Sequence, residues 1–448
     1  MYTARHSLQL TLLFIFLTTS TGTVGSTDTA ELTPLGAELK GNTAGTIPAW
    51  TGGLEQRDLK NPEAGYQDPF ADDRPSLVIT ADNLSEHARH LSPAQQAMLK
   101  RYPQSFRMPV YPTRRSAAYP EAVYEAVARN AETADLEGSD GLSGAATGPA
   151  FPQPKTGAEA IWNHKTRYAT SGVRFHPNAA MVRESGRRTL FGASMEISNH
   201  YARQGADPEN LDNTLSRFIH QQHSPLQLAG ITLLGHERIN PEISGSEYRL
   251  YVPGQSRIFH IDQDEAGYDT SSSGTGNMLT ADQVNGFSGP LDRYDWELVG
   301  KRELYIPYNA YRLEDKSLAL DDILQPRHLP PELLRYELHR VWVVEARVRQ
   351  GQTHRYARRT FYLDEDSWSI ALVDVYDADG ELLQLQESHL FTAYDVPLVT
   401  TAMGVVYPFD DSRYVALNTD NEAPVIRFYA PPDDSELTPA ALEQMLED

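Results

Sequence analysis

The stretch Tyr336-Glu-Leu-His-Arg-Val-Trp-Val-Val-Glu-Ala-Arg-Val348 decides the fold class. Side chains alternate faces along a β-strand. Read that way, Trp342, Val344, Ala346 and Val348 share one face, and Val341, Val343, Glu345 and Arg347 share the other. The first set needs an apolar layer against it. The next segments, Phe361-Tyr-Leu-Asp364 and Trp368-Ser-Ile-Ala-Leu-Val-Asp-Val-Tyr376, are substantially apolar on both faces. Working outward, period-two segments recur at 230–238, 247–252, 256–261, 294–306, 335–348, 355–364, 367–376, 382–389, 398–407, 413–417 and 424–430. Asp379-Gly380 marks a hairpin bend, and Gln350-Gly351-Gln352 joins another pair. No long helical pattern separates these strands. They therefore predict an antiparallel meander and exclude a parallel α/β sheet.

The first half of the chain reads differently. Residues 31–75 are rich in Gly, Pro and Asn and predict an extended segment pinned by Trp50 and Phe70. A helix is expected from about Ala81. A second starts at Ser92-Pro93-Ala94-Gln95, where Ser caps, Pro opens the helix and Gln reaches back to the cap. A third starts at Pro120 and runs to about Thr133, and a fourth spans Gly157 to Tyr168 with Ile161 and Trp162 inward. A further helix is expected near 208–222, and residues 138–154 read as a linker or long loop. The N-terminus carries Arg5 and His6 before the apolar run Leu8–Leu17, which fits a secretory signal peptide and is too short for a membrane span. The expected organisation is a signal peptide over 1–25, an extended and helical segment over 26–155, a β-sheet body over 156–434 and a short helix over 435–448.

Composition narrows the function. The formal charge of −22 disfavours nucleic acid and docking through a polybasic patch on anionic lipid. The absence of cysteine excludes disulfides, thiolate metal sites, thiol catalysis and a lipoprotein anchor. There is no Gly-x-Ser-x-Gly elbow, phosphate loop or His-Glu-x-x-His. Gly274-Thr-Gly276 lacks the third glycine of a dinucleotide site, since Leu279 follows. Asp262-x-Asp264-x-Ala266-Gly267 starts like a calcium loop, but Ala266 replaces a ligand and Ser273 stands where a bidentate Glu is needed. Asp364-Glu365-Asp366 reads first as a turn between strands and second as a carboxylate cluster for acid–base work. No cofactor and no metal are expected.

Longer motifs carry a resemblance. They include Leu35-Gly-Ala-Glu, Gly45-Thr-Ile-Pro-Ala-Trp-Thr-Gly-Gly53, Tyr111-Pro-Thr-Arg-Arg-Ser-Ala117 and Glu159-Ala-Ile-Trp-Asn-His164. They continue with Asp292-Arg-Tyr-Asp-Trp296, Ile306-Pro-Tyr-Asn-Ala-Tyr311, Arg335 to Glu345 and Tyr356 to Trp368. The chain resembles the domain-of-unknown-function 1329 family from about residue 31 to 430, with 169–225 matching loosely. The family's basic run after the Pro-Gly-Gln turn is missing here, because Pro253-Gly-Gln leads into Ile258-Phe-His-Ile. That family is grouped with the LolA/LolB carriers. The resemblance implies an α+β, mainly antiparallel fold: a LolA-like incomplete β-barrel with helices over the concave face. It also implies work beside an envelope transporter of the RND/MMPL type. No catalytic residues carry over.

The leading expectation is a soluble periplasmic carrier or adaptor of a lipid or other hydrophobic or amphipathic small molecule. It is expected not to insert stably in the membrane. Trp296, Trp342, Tyr362 and Trp368 are the candidate wall residues, and Arg340 and Arg358 the candidate polar contacts. Arg358 has a second reading as surface charge. Two alternatives stand beside it: a hydrolase whose His and carboxylates meet only in the fold, and an adaptor that binds protein alone.

Overall fold

The computed structural model describes residues 31–255, 257–261, 268, 278–428, 431 and 433–447. The signal-like run and the residues Asp262, Asp264, Ala266, Gly267 and Ser273 weighed for calcium lie outside the described residues.

Twenty strands are present among the described residues. The first twelve are β1 (Leu77–Ile79), β2 (Met108–Val110), β3 (Asp135–Glu137), β4 (Gly141–Ser143), β5 (Gly172–Phe175), β6 (Ala179–Val182), β7 (Arg188–Phe191), β8 (Ala193–Ser198), β9 (Thr214–Gln222), β10 (Thr232–Arg238), β11 (Glu247–Val252) and β12 (Arg257–Ile261). The rest are β13 (Tyr294–Pro307), β14 (Tyr336–Val348), β15 (Arg358–Asp364), β16 (Ile370–Tyr376), β17 (Leu382–Ala393), β18 (Leu398–Pro408), β19 (Tyr414–Leu417) and β20 (Arg427–Phe428).

The expected meander is there. Strands β13 to β19 pair consecutively and antiparallel, and β6 and β7 extend that sheet beyond β19. A seven-stranded sheet runs β12-β11-β10-β9-β8-β5-β20. The two sheets share their turning strands. β7 passes into β8 across Gly192 alone, and β5 passes into β6 across residues 176–178. Gly192 marks the corner: a Cβ there would stand 2.8 Å from Ser224 Oγ, the same hydroxyl that accepts from the Gly192 amide at 2.7 Å. The sheets thus form one bent antiparallel surface whose ends, β12 and β13, do not pair among the described residues. The fold is an incomplete barrel, mainly β with few helices.

Helix Pro93–Arg101 begins as its sequence requires. The Ser92 hydroxyl accepts from the Gln95 amide, and the Gln95 side chain accepts from the Ser92 amide. Helix Glu121–Thr133 buries Val123 and Val127. The third long helix, Gly157–Lys165, buries Ile161 and Trp162 and packs on β13 and β14. Trp50 pins the extended N-terminal segment by donating its indole N–H to the Ala117 carbonyl at 3.1 Å. One hydrophobic core runs from Leu35 to Ala416.

Three expectations needed correction. Residues 214–222 are strand, and only Pro208–Asn210 turns helically. Leu215, Phe218 and Ile219 fall at helical spacing, but residues 214–222 pair antiparallel with β8 on one side and β10 on the other, and that pairing outweighs the local pattern. Strands β5 to β8 were missed because each has only four to six residues. The stretch 138–154 includes β4 and buries Leu142, Ala145, Ala146 and Ala150. Asn130 fixes it by bonding both the Ala146 carbonyl, at 3.0 Å, and the Ala146 amide, at 3.2 Å. Its Gly and Ala content serves close packing under a helix.

Candidate functional site

Strand register separates the six sequence candidates. Val344 pairs with Phe361 and Ala346 with Trp296, so these side chains share the face on which helix Gly157–Lys165 packs. That face looks toward the seven-stranded sheet and is called inner. Trp296, Arg340 and Trp342 lie on it, and Trp368 stacks beside Trp342 with ring centroids 6.0 Å apart. Arg358 and Tyr362 lie on the opposite face, which helix Pro93–Arg101 covers.

The inner candidates sit in two places. Trp296 is half-buried, donates to the Leu291 carbonyl at 2.8 Å and packs against Phe287, Tyr294 and Phe361. Arg359 is fully buried in the same group, where it bonds Asp282 and the Tyr294 hydroxyl. Burial opposes the Asp282 charge, but Arg359 and His354 outweigh it and hold the carboxyl at about 2. This pair fastens the 278–291 segment over the inner face.

Arg340, Trp342 and Trp368 belong to a buried ionic network. Trp368 is fully buried with φ at 60°, and its indole donates to the Leu35 carbonyl at 3.1 Å. Trp342 is half-buried, with the Lys301 ammonium 4.7 Å from its ring centre. Around them, Arg115 grips Asp366 at 2.6 Å, and Glu365 takes Lys301 at 2.8 Å and Arg340 at 3.4 Å. Arg335 joins Glu337 at 2.6 Å and Asp73 at 2.8 Å, and Arg114 joins Asp73 at 2.7 Å. His339 stands 3.3 Å from both Glu337 and Asp364. Burial disfavours the imidazolium, but those two carboxylates outweigh it and push His339 up to about 9.

His339, Asp364 and Asp366 also bring one ligand atom each within 4.8 Å of one another. Charge argues for an internal salt network at this point. With Glu38, the network has six acids against five always-charged bases, and a protonated His339 makes it even. A divalent cation would have to displace Arg115 from Asp366. The Ser367 hydroxyl donates to Asp364 at 2.7 Å and is held within the same turn. Asp364 ends β15 and Glu365-Asp366 lie in the turn that leads to β16, as the turn reading expects. The turn aims them inward to staple the N-terminal segment.

On the outer face, Tyr362 donates to Asp374 at 3.2 Å, and Ser92 donates to the same carboxylate at 2.7 Å. Burial pushes Asp374 up to about 6 and the nearby Glu387 up to about 7. Arg358 pairs with Glu345 at 3.2 Å, and its guanidinium lies 3.5 Å from the Tyr376 ring centre.

The seven-stranded sheet differs. Its outer face carries Ile219, Leu234 and Ile258, covered by Leu437 and by Leu442 of helix Pro439–Glu447. On its inner face the registered rows are Phe175–Met195–His220–Leu233–Leu250–Phe259 and Ile197–Phe218–Gly235–Tyr248. Their side chains are half-buried, apart from Gly235, and the apolar ones join none of the hydrophobic clusters. None of the six sequence candidates lies there. The local pattern of 214–222 does not announce this face, because its apolar residues fall at helical spacing.

A family model described as "Protein of unknown function (DUF1329)" matches residues 78–443. The chain belongs to this family. It is 39% identical over 417 residues to the uncharacterized protein PA3922 of Pseudomonas aeruginosa, covering 92% of this chain and 91% of that protein. Among solved structures it is similar to a DUF1329 family protein from Desulfovibrio piger, at 12% identity and a TM-score of 0.41, covering 61% of this chain and 92% of that one. It is also similar to the LolA superfamily protein NE2245 from Nitrosomonas europaea, at 10% identity and a TM-score of 0.38, covering 64% of this chain and all of that one (100%). Among the described residues, no helix of this DUF1329 chain is long and apolar enough to cross a membrane.

Proposed function

We propose that the protein is an exported, periplasmic carrier or adaptor that holds an apolar or amphipathic molecule against the inner face of the seven-stranded sheet. It would pass that molecule to or from an envelope transporter of the RND/MMPL type. One observation carries the reading. Phe175, Met195, Leu233, Leu250 and Phe259, with His220 between Met195 and Leu233, form a half-buried row that joins none of the hydrophobic clusters, while the inner face of the other sheet is filled by the chain's own segments. Apolar surface left this way favours a guest, because covering it yields about 25 cal/mol per Å². Trp296 and Trp342 are only half-buried and remain candidate contacts in this reading. The remaining candidates, Arg340, Arg358, Tyr362 and Trp368, would act through the frame, since each is already engaged within the protein.

The test is mass spectrometry of an organic extract of the protein purified from a periplasmic fraction without detergent, beside a Leu233→Asp variant. A stoichiometric apolar species in the parent that disappears from the variant, with the circular dichroism spectrum unchanged, is the expected result. The same species bound equally by the variant would move the site elsewhere. An empty extract from both would favour an adaptor that binds protein alone.

A further inference from the structure

Two turns of the sheet that holds β13 to β19 enclose an open groove of about 580 Å³, at the end of β7 opposite the Gly192 corner. The turn between β6 and β7 lines it with Arg183, Glu184 and Ser185, and the turn between β18 and β19 with Asp411, Ser412 and Arg413. Both turns are fixed. In the first, the Gly186 amide donates to the Arg183 carbonyl and the Arg183 amide to the Arg187 carbonyl, both at 2.9 Å. In the second, Asp411 accepts from the Arg413 amide at 2.8 Å and takes the Arg413 Nε at 2.8 and 3.0 Å. Arg101, the last residue of helix Pro93–Arg101, holds the same turn by donating to the Pro408 carbonyl at 2.9 Å and the Asp411 carbonyl at 2.6 Å.

None of the six lining side chains is apolar. The charge around them is positive, against a net charge of −22 for the chain. The turns and the side chains tied to them supply Arg101, Arg183, Arg187, Arg327 and Arg413 against Glu184, Asp410 and Asp411. Arg413 pairs with Asp411, and Arg327 with Glu184 at 3.4 Å. The neighbouring Arg188 and Asp321 form a pair of their own. Among the described residues, no carboxylate pairs with Arg101, Arg183 or Arg187. Arg101 is engaged by its two carbonyls. Arg183 is exposed on the groove wall and gives one N–H to Thr189 Oγ1 at 3.3 Å, which leaves the rest of its guanidinium fork to a guest. A guanidinium on a fixed turn matches the oxygens of a phosphate bidentately. The surplus of two positive charges suits the near-double charge of a phosphate monoester. The Ser185 and Ser412 hydroxyls and the open lone pairs of Glu184 and Asp411 supply partners for hydroxyl groups.

We propose that this groove binds a phosphorylated polyol of the size of a sugar phosphate, with Arg183 holding the phosphate and Ser185, Ser412, Glu184 and Asp411 taking the hydroxyls. Arg187 adds charge beside the phosphate without lining the groove. The volume exceeds what a bare oxyanion fills, and the polar lining gives an aliphatic tail nothing to pack against. The site is separate from the inner face of the seven-stranded sheet and does not rest on the carrier reading.

The experiment is isothermal titration of the full chain at neutral pH with glucose 6-phosphate, glucose and inorganic phosphate. At about 0.15 M salt, screening over ~8 Å separates the local guanidiniums from the negative charge of the rest of the chain. Glucose 6-phosphate should bind about tenfold more tightly than either other probe, which corresponds to ~1.4 kcal/mol. Arg183→Gln should remove that advantage while the circular dichroism spectrum stays unchanged, since the side chain is exposed. Arg187→Gln should weaken glucose 6-phosphate by roughly threefold, as an exposed charge acting without direct contact. Ser412→Val should weaken glucose 6-phosphate and leave inorganic phosphate unaffected. Inorganic phosphate binding as tightly as glucose 6-phosphate would reduce the groove to a bare anion site and overturn the polyol assignment. Glucose binding as tightly would overturn the role of Arg183. Equal affinity in parent and Arg183→Gln, or no binding of any probe, would overturn the site itself.

Discussion

Replacing Arg115 by Met would expose how the N-terminal segment is held. The Arg115 side chain is 2% exposed and makes two hydrogen bonds to Asp366, at 2.6 and 2.8 Å. It also donates to the Leu39 and Pro48 carbonyls, at 3.3 and 3.4 Å, and so ties residues 39–48 to the turn after β15. Methionine keeps much of the length and removes every donor. Asp366 is then buried beside Glu365 with its charge uncompensated, a situation that costs roughly 3–5 kcal/mol. Asp366→Asn alone strands the guanidinium instead. The double variant Arg115→Met/Asp366→Asn removes both charges and should recover ~2 kcal/mol or more of the summed loss, within the usual range for coupled neighbours. Urea unfolding followed by tryptophan fluorescence reads the global change. Limited proteolysis within residues 31–60 reads local release, since a segment held by few contacts opens before the core does. A single-variant loss below about 1 kcal/mol, or strict additivity in the cycle, would refute the staple.

Asp374→Asn should reduce the pH dependence of stability between about pH 4 and 6, leaving the part that Glu387 contributes. A carboxyl raised from 3.8 to about 6 binds its proton more tightly when folded, so the parent loses stability as pH rises through that window. The shift corresponds to roughly 3 kcal/mol at full development, and equal slopes in parent and variant would contradict it. His339 has the opposite consequence at high pH. Its folded pKa of about 9 lies above the ordinary 6.5, so its contribution is complete below about 6.5 and lost as pH rises through 9. His339→Gln should weaken that decline in alkaline urea titrations, and an unchanged profile would place the proton elsewhere. Gly192→Val should destabilise the corner by about 1–3 kcal/mol, because its Cβ would meet Ser224 Oγ at 2.8 Å; an unchanged thermal midpoint would show that the bend has room.

The meander from 294 to 417 was legible because its strands are long and carry β-branched and aromatic residues at a period of two. Helix Pro93–Arg101 was legible because its capping box is local chemistry. The site was much less so. Trp342 and Trp368 read as cavity walls because bulky rings on a strand advertise contact area. They do not say whether a ligand or the protein's own Leu35 and Lys301 will supply it. The ionic network joins Glu38, Asp73 and Arg115 to residues between Lys301 and Asp366, and no local pattern encodes a partnership across such separations. Lys165, Asp140 and Glu237 meet for the same reason only once the helix crosses the barrel.

The two halves of the barrel are both antiparallel and differ in what fills them, and that difference bears on the carrier reading proposed above. A sheet with an empty apolar face is a poor folding unit by itself, since its inner side chains lose the packing that stabilises a core. Here the cost is confined to the seven-stranded sheet. Its strands continue through Gly192 and residues 176–178 into a sheet sealed on both faces, by the 278–291 segment and helix Gly157–Lys165 inside and by helix Pro93–Arg101 outside. The filled half therefore holds the shape that the other half needs, and under the carrier reading proposed above a guest would leave without the frame collapsing. The same division explains why the most strongly engaged aromatic and charged residues lie away from the open face. Rigidity is built where the chain packs on itself, while the half-buried row of the seven-stranded sheet stays outside the hydrophobic clusters.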